Sequence, residues 1–440
     1  MSAQTPPTLL KLARQALLRD ETVDMSALDK LPMELLPALF KEALTGRHTM
    51  TVKAMVAAWP FPCLPVGALM KTPDLETLQA VLAGVDMQLQ RKIHSRRRKL
   101  QVLDLRKKHH EFWSIWAGAE EGDCSAEDPD EQQVVKVLPR YALRWLLKVV
   151  ADLWLRPCFH EEHIETLELM ISWDMLKLSQ VAPFLGRMRN LRKFFLTNTV
   201  KNVFIIGNRT TDQEEKCIRK FISQFYKLDC LQYLSMNGIY FLRDHLHLVL
   251  GCLMAPLETL SITSCNLSQS DLNSLSECPK LFQLKHLDMK RVGLTSLDLR
   301  PLQILLENVA DTLQSLDLKA CWISDSHLTM LIPALSKCSQ LANVSFYDNY
   351  FSMHNLRKLL QHTANLSKMN VEQYPAPLEC YDELGYISTE RFTQLCAEEI
   401  DRLRAIRQPK CISFATLICS RCGERSIYDQ ELRLCVCQQR

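Results

Sequence analysis

Four thiols near the C-terminus have the type and spacing closest to a defined chemistry. Cys419-x2-Cys422 is followed, after twelve intervening residues, by Cys435-x-Cys437. CxxC ahead of a glycine is a frequent zinc-knuckle shape, and four thiolates can hold Zn²⁺ tetrahedrally. CxC is a less usual second half, and the segment offers no histidine ligand, so the alternative is free thiols in a loosely ordered tail. His109-His110-Glu111 and His160-Glu161-Glu162-His163 supply ligand types, but neither has HExxH spacing, and both read as surface clusters. None of the 12 glycines falls in GxGxxG or GxxxxGK[ST], which argues against the common nucleotide-binding enzymes. A structural zinc aside, no cofactor is expected. No catalytic residue is identified, and the chain reads as a non-enzyme.

Composition narrows the class further. The 440 residues carry 53 Lys+Arg against 50 Asp+Glu, a net charge of +3, with no case for nucleic-acid binding. No apolar run approaches the ~18–20 residues that a bilayer span needs, so no membrane is expected. The first residues, broken by Pro6 and Pro7, do not read as a secretory signal. Seventeen cysteines, an odd number scattered along the chain, then read as reduced, buried, small apolar residues of a cytoplasmic or nuclear protein.

The elements that must position these residues come from a repeat. LETLSITSCNL at Leu257 fits LxxLxLxxCxL, and the frame recurs at Leu284, Leu313 and Leu341. Weaker copies start at Leu100, Ile164, Leu191, Leu231 and Leu366. From Leu231 onward the steps are 26, 27, 29, 28 and 25 residues, within the leucine-rich-repeat range. The expected fold is an α/β leucine-rich-repeat solenoid, a horseshoe with a helical N-terminal cap. Each LxL makes a short parallel strand, the Cys or Asn after it turns inward, and a helix opened by a capping Ser follows, as in 324–338 and 352–366. The 40-residue step from Leu191 holds TNTVKNVFIIGNRTTDQEEK, expected to be an insertion loop. Three domains follow: a helical segment over 1–60 ending at AWPFPCLP, the solenoid over 61–415 with an acidic loop at 117–133, and a Cys-rich tail over 416–440.

Strand alternation assigns the concave face. Its rungs are Tyr233, Ser235 and Asn237; Thr259, Ser261 and Thr263; His286, Asp288 and Lys290; Ser315, Asp317 and Lys319; and Asn343, Ser345 and Tyr347. Stacking puts Asp288 beside Asp317 and Lys290 beside Lys319, an acidic row next to a basic one. A protein partner in this groove is the functional reading; a solvated sheet face is the plainer one. LxxLL at Leu143, Leu302 and Leu356 reads mainly as packing, and the basic run Arg96–Lys99 reads equally as a nuclear-import patch or a solvated strand edge.

At the N-terminus, Leu9, Ala13 and Leu17 share one helical face after Thr8, and in a second helix running through 31–44 Leu31, Leu35 and Leu39 share another, with Pro32 in the first turn and Pro37 implying a kink or restart. Both helices could simply cap the solenoid.

KAMVAAWPFPCLPVGALMK (53–71), RKLQVLDLRK (98–107), PLETLSITSCNLS (256–268), LSKCSQLANVSFYDN (335–349), YPAPLECYDELG (374–385) and ICSRCGERSIYD (418–429) resemble the PRAME family of mammalian leucine-rich-repeat proteins. The resemblance fails between about 117 and 165, where this chain looks shorter by roughly one repeat. What the resemblance implies is a substrate receptor for a cullin-2 RING ubiquitin ligase. Thr8, Leu9, Ala13 and Leu17 would be its elongin B/C box, with Ala13 where Cys is commonest, and Leu31, Pro32, Leu35 and Leu39 its cullin-2 box. It also implies effects on transcription, differentiation, apoptosis and proliferation. LPMELLPALF equally looks like an F-box opening for Skp1 and cullin-1, which Pro37 argues against. A ligase-independent corepressor or scaffold is the reading from another class; a repeat-based enzyme inhibitor is a weaker one.

Overall fold

A computed structural model describes residues 16–18, 28, 30–69, 75–90, 100, 102–105, 110–117, 141–146, 164–171, 175–198, 211–419 and 421–438. Contacts divide the chain into two compact units. The first is Met1–Ile171 with Pro183–Leu191, and the second is Ser172–Ala182 with Arg192–Arg440. No described helix is long and apolar enough to cross a membrane.

In the first unit, β1 (Cys63–Pro65), β2 (Val102–Asp104), β3 (Tyr141–Leu146) and β4 (Ile164–Ile171) pair in parallel, with Leu64, Leu103, Leu143 and Leu167 in one register. The region where the family resemblance fails therefore still contributes strand β3, at the cost of a register shift between Tyr141 and Ala142. Helices Leu35–Thr45, Thr49–Ala57, Leu75–Gln90 and His110–Ala117 belong to this unit. Thr49–Ala57 and Leu75–Gln90 cross so closely at Gly84 that a Cβ there would lie 2.5 Å from the Lys53 carbonyl oxygen.

Two expectations about this region need correcting. The helix expected over 31–44 starts only at Leu35, so of the kink or restart expected at Pro37 it is the restart that fits. Pro37 sits in the first turn, where a missing N–H costs no intrahelical bond. Nor do residues 58–65 separate two bodies. Trp59 is fully buried, with ring centroids 5.1 Å from Phe40 and 6.3 Å from Trp113. The Trp59 and Trp113 indoles donate to the carbonyls of Cys63 (3.1 Å) and Pro65 (2.8 Å), tying the helices to β1.

In the second unit eight strands run parallel. They are β5 (Lys193–Asn198), β6 (Tyr233–Asn237), β7 (Thr259–Thr263), β8 (His286–Asp288), β9 (Ser315–Asp317), β10 (Asn343–Ser345), β11 (Val371–Pro375) and β12 (Cys411–Ala415). Two antiparallel strands, β13 (Ile427–Tyr428) and β14 (Leu432–Arg433), close the series. Leu234, Leu260, Leu287, Leu316 and Val344 stack inward in register, each almost fully buried. This is a leucine-rich-repeat solenoid, and its turn repeats too. Ser264, Arg291, Ala320 and Asp348 all take a left-handed backbone (φ 52 to 58), one residue before the inward Cys265, Val292, Cys321 and Asn349.

The inward polar groups satisfy the bend. Cys321 donates to the Met289 carbonyl at 3.0 Å. Asn349 donates to those of Leu318 (2.8 Å) and Phe346 (2.9 Å) and accepts from the Ile323 N–H at 2.9 Å. Helices open on caps at Ser268, Ser324 and Ser352. The 40-residue step differs from a simple loop: Thr211 and Glu214 form a capping box on helix Asp212–Ile222, the helical half of that repeat. The LxxLL at Leu302 and Leu356 are core, while Leu143 lies on a strand. The acidic segment beyond Ala117, Arg96–Lys99 and His160–His163 lie outside the described residues.

Candidate functional site

Strand register assembles the open face of the second unit's sheet. His286, Ser315 and Asn343 form one row, and Asp288, Asp317 and Ser345 the next. Tyr233, Thr259, Ser235 and Ser261 extend these rows on one side; Val371, Cys411, Gln373 and Ser413 extend them on the other. The rungs expected from alternation thus do come together.

Their charges do not stay in separate rows. Lys290 Nζ lies 3.4 Å from Asp288 and 3.2 Å from Asp317, so one cation bridges both acids. Each aspartate also bends back to the strand end: the Lys290 N–H donates to Asp288 Oδ1 (3.1 Å) and the Lys319 N–H to Asp317 Oδ1 (3.0 Å). Burial nonetheless pushes the Asp317 carboxyl above its ordinary value, against the pull of Lys290. Lys319 closes no ion pair among the described residues, and burial, with Arg425 nearby, holds its amine below the usual lysine range. Burial likewise lowers His286. Ser345, nearly fully buried, has no hydrogen-bond partner for its Oγ. A half-desolvated carboxylate, a free lysine and an unpartnered hydroxyl are costly on a bare surface and useful to a polar ligand.

Beyond the expected rungs the face gains residues that alternation in the Leu frame did not reach. Arg425 grips Asp348 with two hydrogen bonds (3.1 and 3.0 Å), and its guanidinium lies 5.1 Å from the Tyr347 ring centroid. The Tyr347 hydroxyl meets Ser413 Oγ at 2.6 Å. Ser413 belongs to β12, a strand whose Ile412 and Phe414 alternate inward; that period of two was the available signal.

The N-terminal candidates divide. Thr8, Leu9 and Ala13 lie outside the described residues, and Leu17 is half-buried. Pro32 and Met33 are exposed, with Leu31 and Leu35 half-buried. Leu39 lies one helical turn beyond Leu35 on the same side of the helix, but it is not accessible as the expected partner anchor. It is 2% exposed and joins Leu36, Phe40, Ala43 and Leu44 in the core, because the helix packs through that stripe.

The tail thiols converge. The sulfurs of Cys419, Cys422 and Cys437 lie within 4.8 Å of one another, and the buried Cys435 stands two residues ahead of Cys437 on the returning chain. The loop is built for this. Gly423 turns the chain in a left-handed conformation (φ 74), and its N–H bonds to the Cys419 carbonyl at 2.9 Å. Backbone N–H groups of Cys422 and Arg421 aim at the Cys419 sulfur and bring its thiol down to about 7.

Comparison with known proteins places this geometry in a family. Residues 6–113 match the PRAME N-terminal domain and 154–437 the PRAME C-terminal domain. The chain is 43% identical to PRAME family member 12 of Homo sapiens, over 99% of this chain and 98% of that one. It is 42% identical to PRAME family members 8 and 7, also of Homo sapiens, over 99% of this chain and 100% of theirs. These alignments run over 479 and 483 positions, longer than the 440 residues here, so the relatives hold residues that this chain lacks. Among solved structures, the leucine-rich repeat-containing protein LegL7 from Legionella pneumophila is similar at a TM-score of 0.35 and 14% identity, over 64% of this chain and 84% of that one.

Proposed function

The chain belongs to the PRAME family, and from that premise we propose that it is the substrate-recognition subunit of a cullin-2 RING ubiquitin ligase. It acts as a non-catalytic adaptor in the cytoplasm and nucleus. Elongin B/C docks on Thr8, Leu9, Ala13 and Leu17, and cullin-2 on the shoulder of Leu31, Pro32 and Leu35. A protein substrate lies on the open sheet face around Asp288, Lys290, Asp317 and Lys319, and its ubiquitination lowers transcription, differentiation and apoptosis and favours proliferation.

The observation that carries this reading is the split between helix Leu35–Thr45 and the turn that leads into it. Leu36, Leu39, Phe40, Ala43 and Leu44 are consumed by the core, whereas Leu31, Pro32, Met33 and Leu35, just ahead, leave apolar surface uncovered. Apolar anchors at helical spacing are what a groove on a partner takes. The unpartnered Ser345 hydroxyl and the half-desolvated Asp317 support a polar ligand on the open face.

A second reading gains one argument. With Pro37 in the first turn, the objection to an F-box-type helix is gone, so Skp1 and cullin-1 stay in the test. Purified full chain, wild type and Leu9→Asp, is offered elongin B/C and Skp1 separately. Elongin capture that falls more than tenfold in Leu9→Asp supports the receptor, since a buried Leu contributes ~1.5–3 kcal/mol. Skp1 capture moves the protein to cullin-1. Binding to neither makes the shoulder part of a cap and leaves a ligase-independent corepressor or scaffold.

A further inference from the structure

We propose that Cys419, Cys422, Cys435 and Cys437 form a tetrathiolate Zn²⁺ site that locks the C-terminal hairpin onto the end of the repeat sheet. The ligand geometry is close to complete. Four sulfurs around zinc at ~2.3 Å stand ~3.8 Å apart; those of Cys419, Cys422 and Cys437 are already within 4.8 Å of one another, and Cys435, the fourth thiol, is buried two residues ahead of Cys437.

The two halves arrive from opposite sides of one hairpin. Cys419 and Cys422 sit on the Gly423 turn, and strands β13 and β14 carry the chain back to Cys435 and Cys437. Two anchors hold that return. The Cys435 N–H donates to Ser426 Oγ (3.1 Å), and Ser426 and Thr416 exchange backbone and side-chain bonds at 3.0 Å. The described cysteines are all unbonded, and no other group of three or more His, Cys, Asp or Glu among the described residues converges in this way.

The donor set defines the ion and its role. Four soft thiolates at tetrahedral spacing select zinc over magnesium or calcium, which take oxygen ligands. With every position filled by protein, no place is left for water or substrate, so the site is structural. As zinc binds, the four thiols release their protons and the centre becomes doubly negative. Arg421, Arg425 and Arg433 stand in or next to the hairpin as local counter-charge.

The consequence reaches the open face. Arg425 lies between the knuckle and β13, and it alone pairs with Asp348 among the ion pairs of the described residues. It also covers Tyr347. Zinc therefore holds in place the residue that ends the polar groove, and metal loss frees it.

The test uses full-length protein purified under reducing conditions without chelator and dialysed against metal-free buffer. Expected are one zinc per chain by atomic spectroscopy and background levels in Cys419→Ser/Cys422→Ser. Cys411→Ser, which removes an exposed thiol on β12, should keep its zinc. Because the double variant could misfold, wild type is also exchanged with Co²⁺, which should show sulfur-to-cobalt charge transfer and the intense visible bands of tetrahedral thiolate. Wild-type chain that carries no zinc and gives no such cobalt spectrum after reconstitution overturns the site. So does equal loss of zinc in Cys411→Ser, or a disulfide within the four thiols in the freshly purified protein.

Discussion

The strands that begin and end the repeats are closed off in opposite ways. Beside β1 the closure is aromatic: Phe40, Trp59 and Trp113 pack ring on ring, and the two indole N–H groups spend their single donors on carbonyls near that strand. Beside β12 the closure is polar: a two-strand hairpin, the Arg425–Asp348 pair, the Thr416–Ser426 exchange and four thiols. An end strand must be covered in any solenoid. Apolar burial does this whatever the redox state or metal supply. Thiols and ion pairs do it only while their partners are present, so the C-terminal closure is conditional where the N-terminal one is not.

The largest expected effect tests the unconditional end. Trp59→Ala should cost about 3–5 kcal/mol, as for other large buried aromatics, read from urea denaturation. Its zinc content should not change. If the metal were lost together with Trp59, the two closures would be one cooperative unit and the contrast would fail.

Next is the hairpin. Asp348→Ala leaves Arg425 without its carboxylate in a site where both side chains are nearly nine-tenths buried, and about 1.5–3 kcal/mol of stability should go with it. Limited proteolysis should then cut first within 416–438 while residues 35–57 stay protected. Chelation of wild-type protein should produce the same cleavage pattern without any mutation. Early cutting at the N-terminal helices in either experiment would reverse the assignment of the conditional end.

The smallest effect sits on the open face of the second unit. Burial raises the folded-state pKa of Asp317, so the folded chain takes up that proton more readily than the unfolded one. Ionised Asp317 therefore costs stability once the pH rises through the raised value. Asp317→Asn should be more stable than wild type by ~0.5 kcal/mol at neutral pH. The gain should vanish below the ordinary aspartate value of ~3.9. It should also weaken capture of a partner on this face. A variant less stable at neutral pH would mean that the Lys290 bridge outweighs desolvation and that the face is built for stability alone.

Most of the repeat was legible. The strands β2, β4 and β5 to β11 follow LxxLxL frames, and the capping serines marked the helices after β9 and β10. Three strands were not. β1 is three residues among Pro60, Pro62 and Pro65, β3 carries YALRWL in place of the frame, and β12 alternates without leucine. The pairing of Asp288 with Asp317 was read correctly, but not the bridge that Lys290 makes between them, which departs from the separate basic row expected.

The sequence by itself determined the period, the inward set of each rung, the caps and the ligand types of the tail. All of these are local: they depend on residues within one repeat or one turn. The tertiary structure alone decided that Leu39 turns to the core while Pro32 stays exposed and Leu31 half-buried, and that Cys437 returns to Cys419 and Cys422. It also brought Arg425 to Asp348, across 77 residues of chain. Such meetings are set by how whole repeats stack and how the last hairpin folds back, and no spacing between neighbours in sequence encodes them.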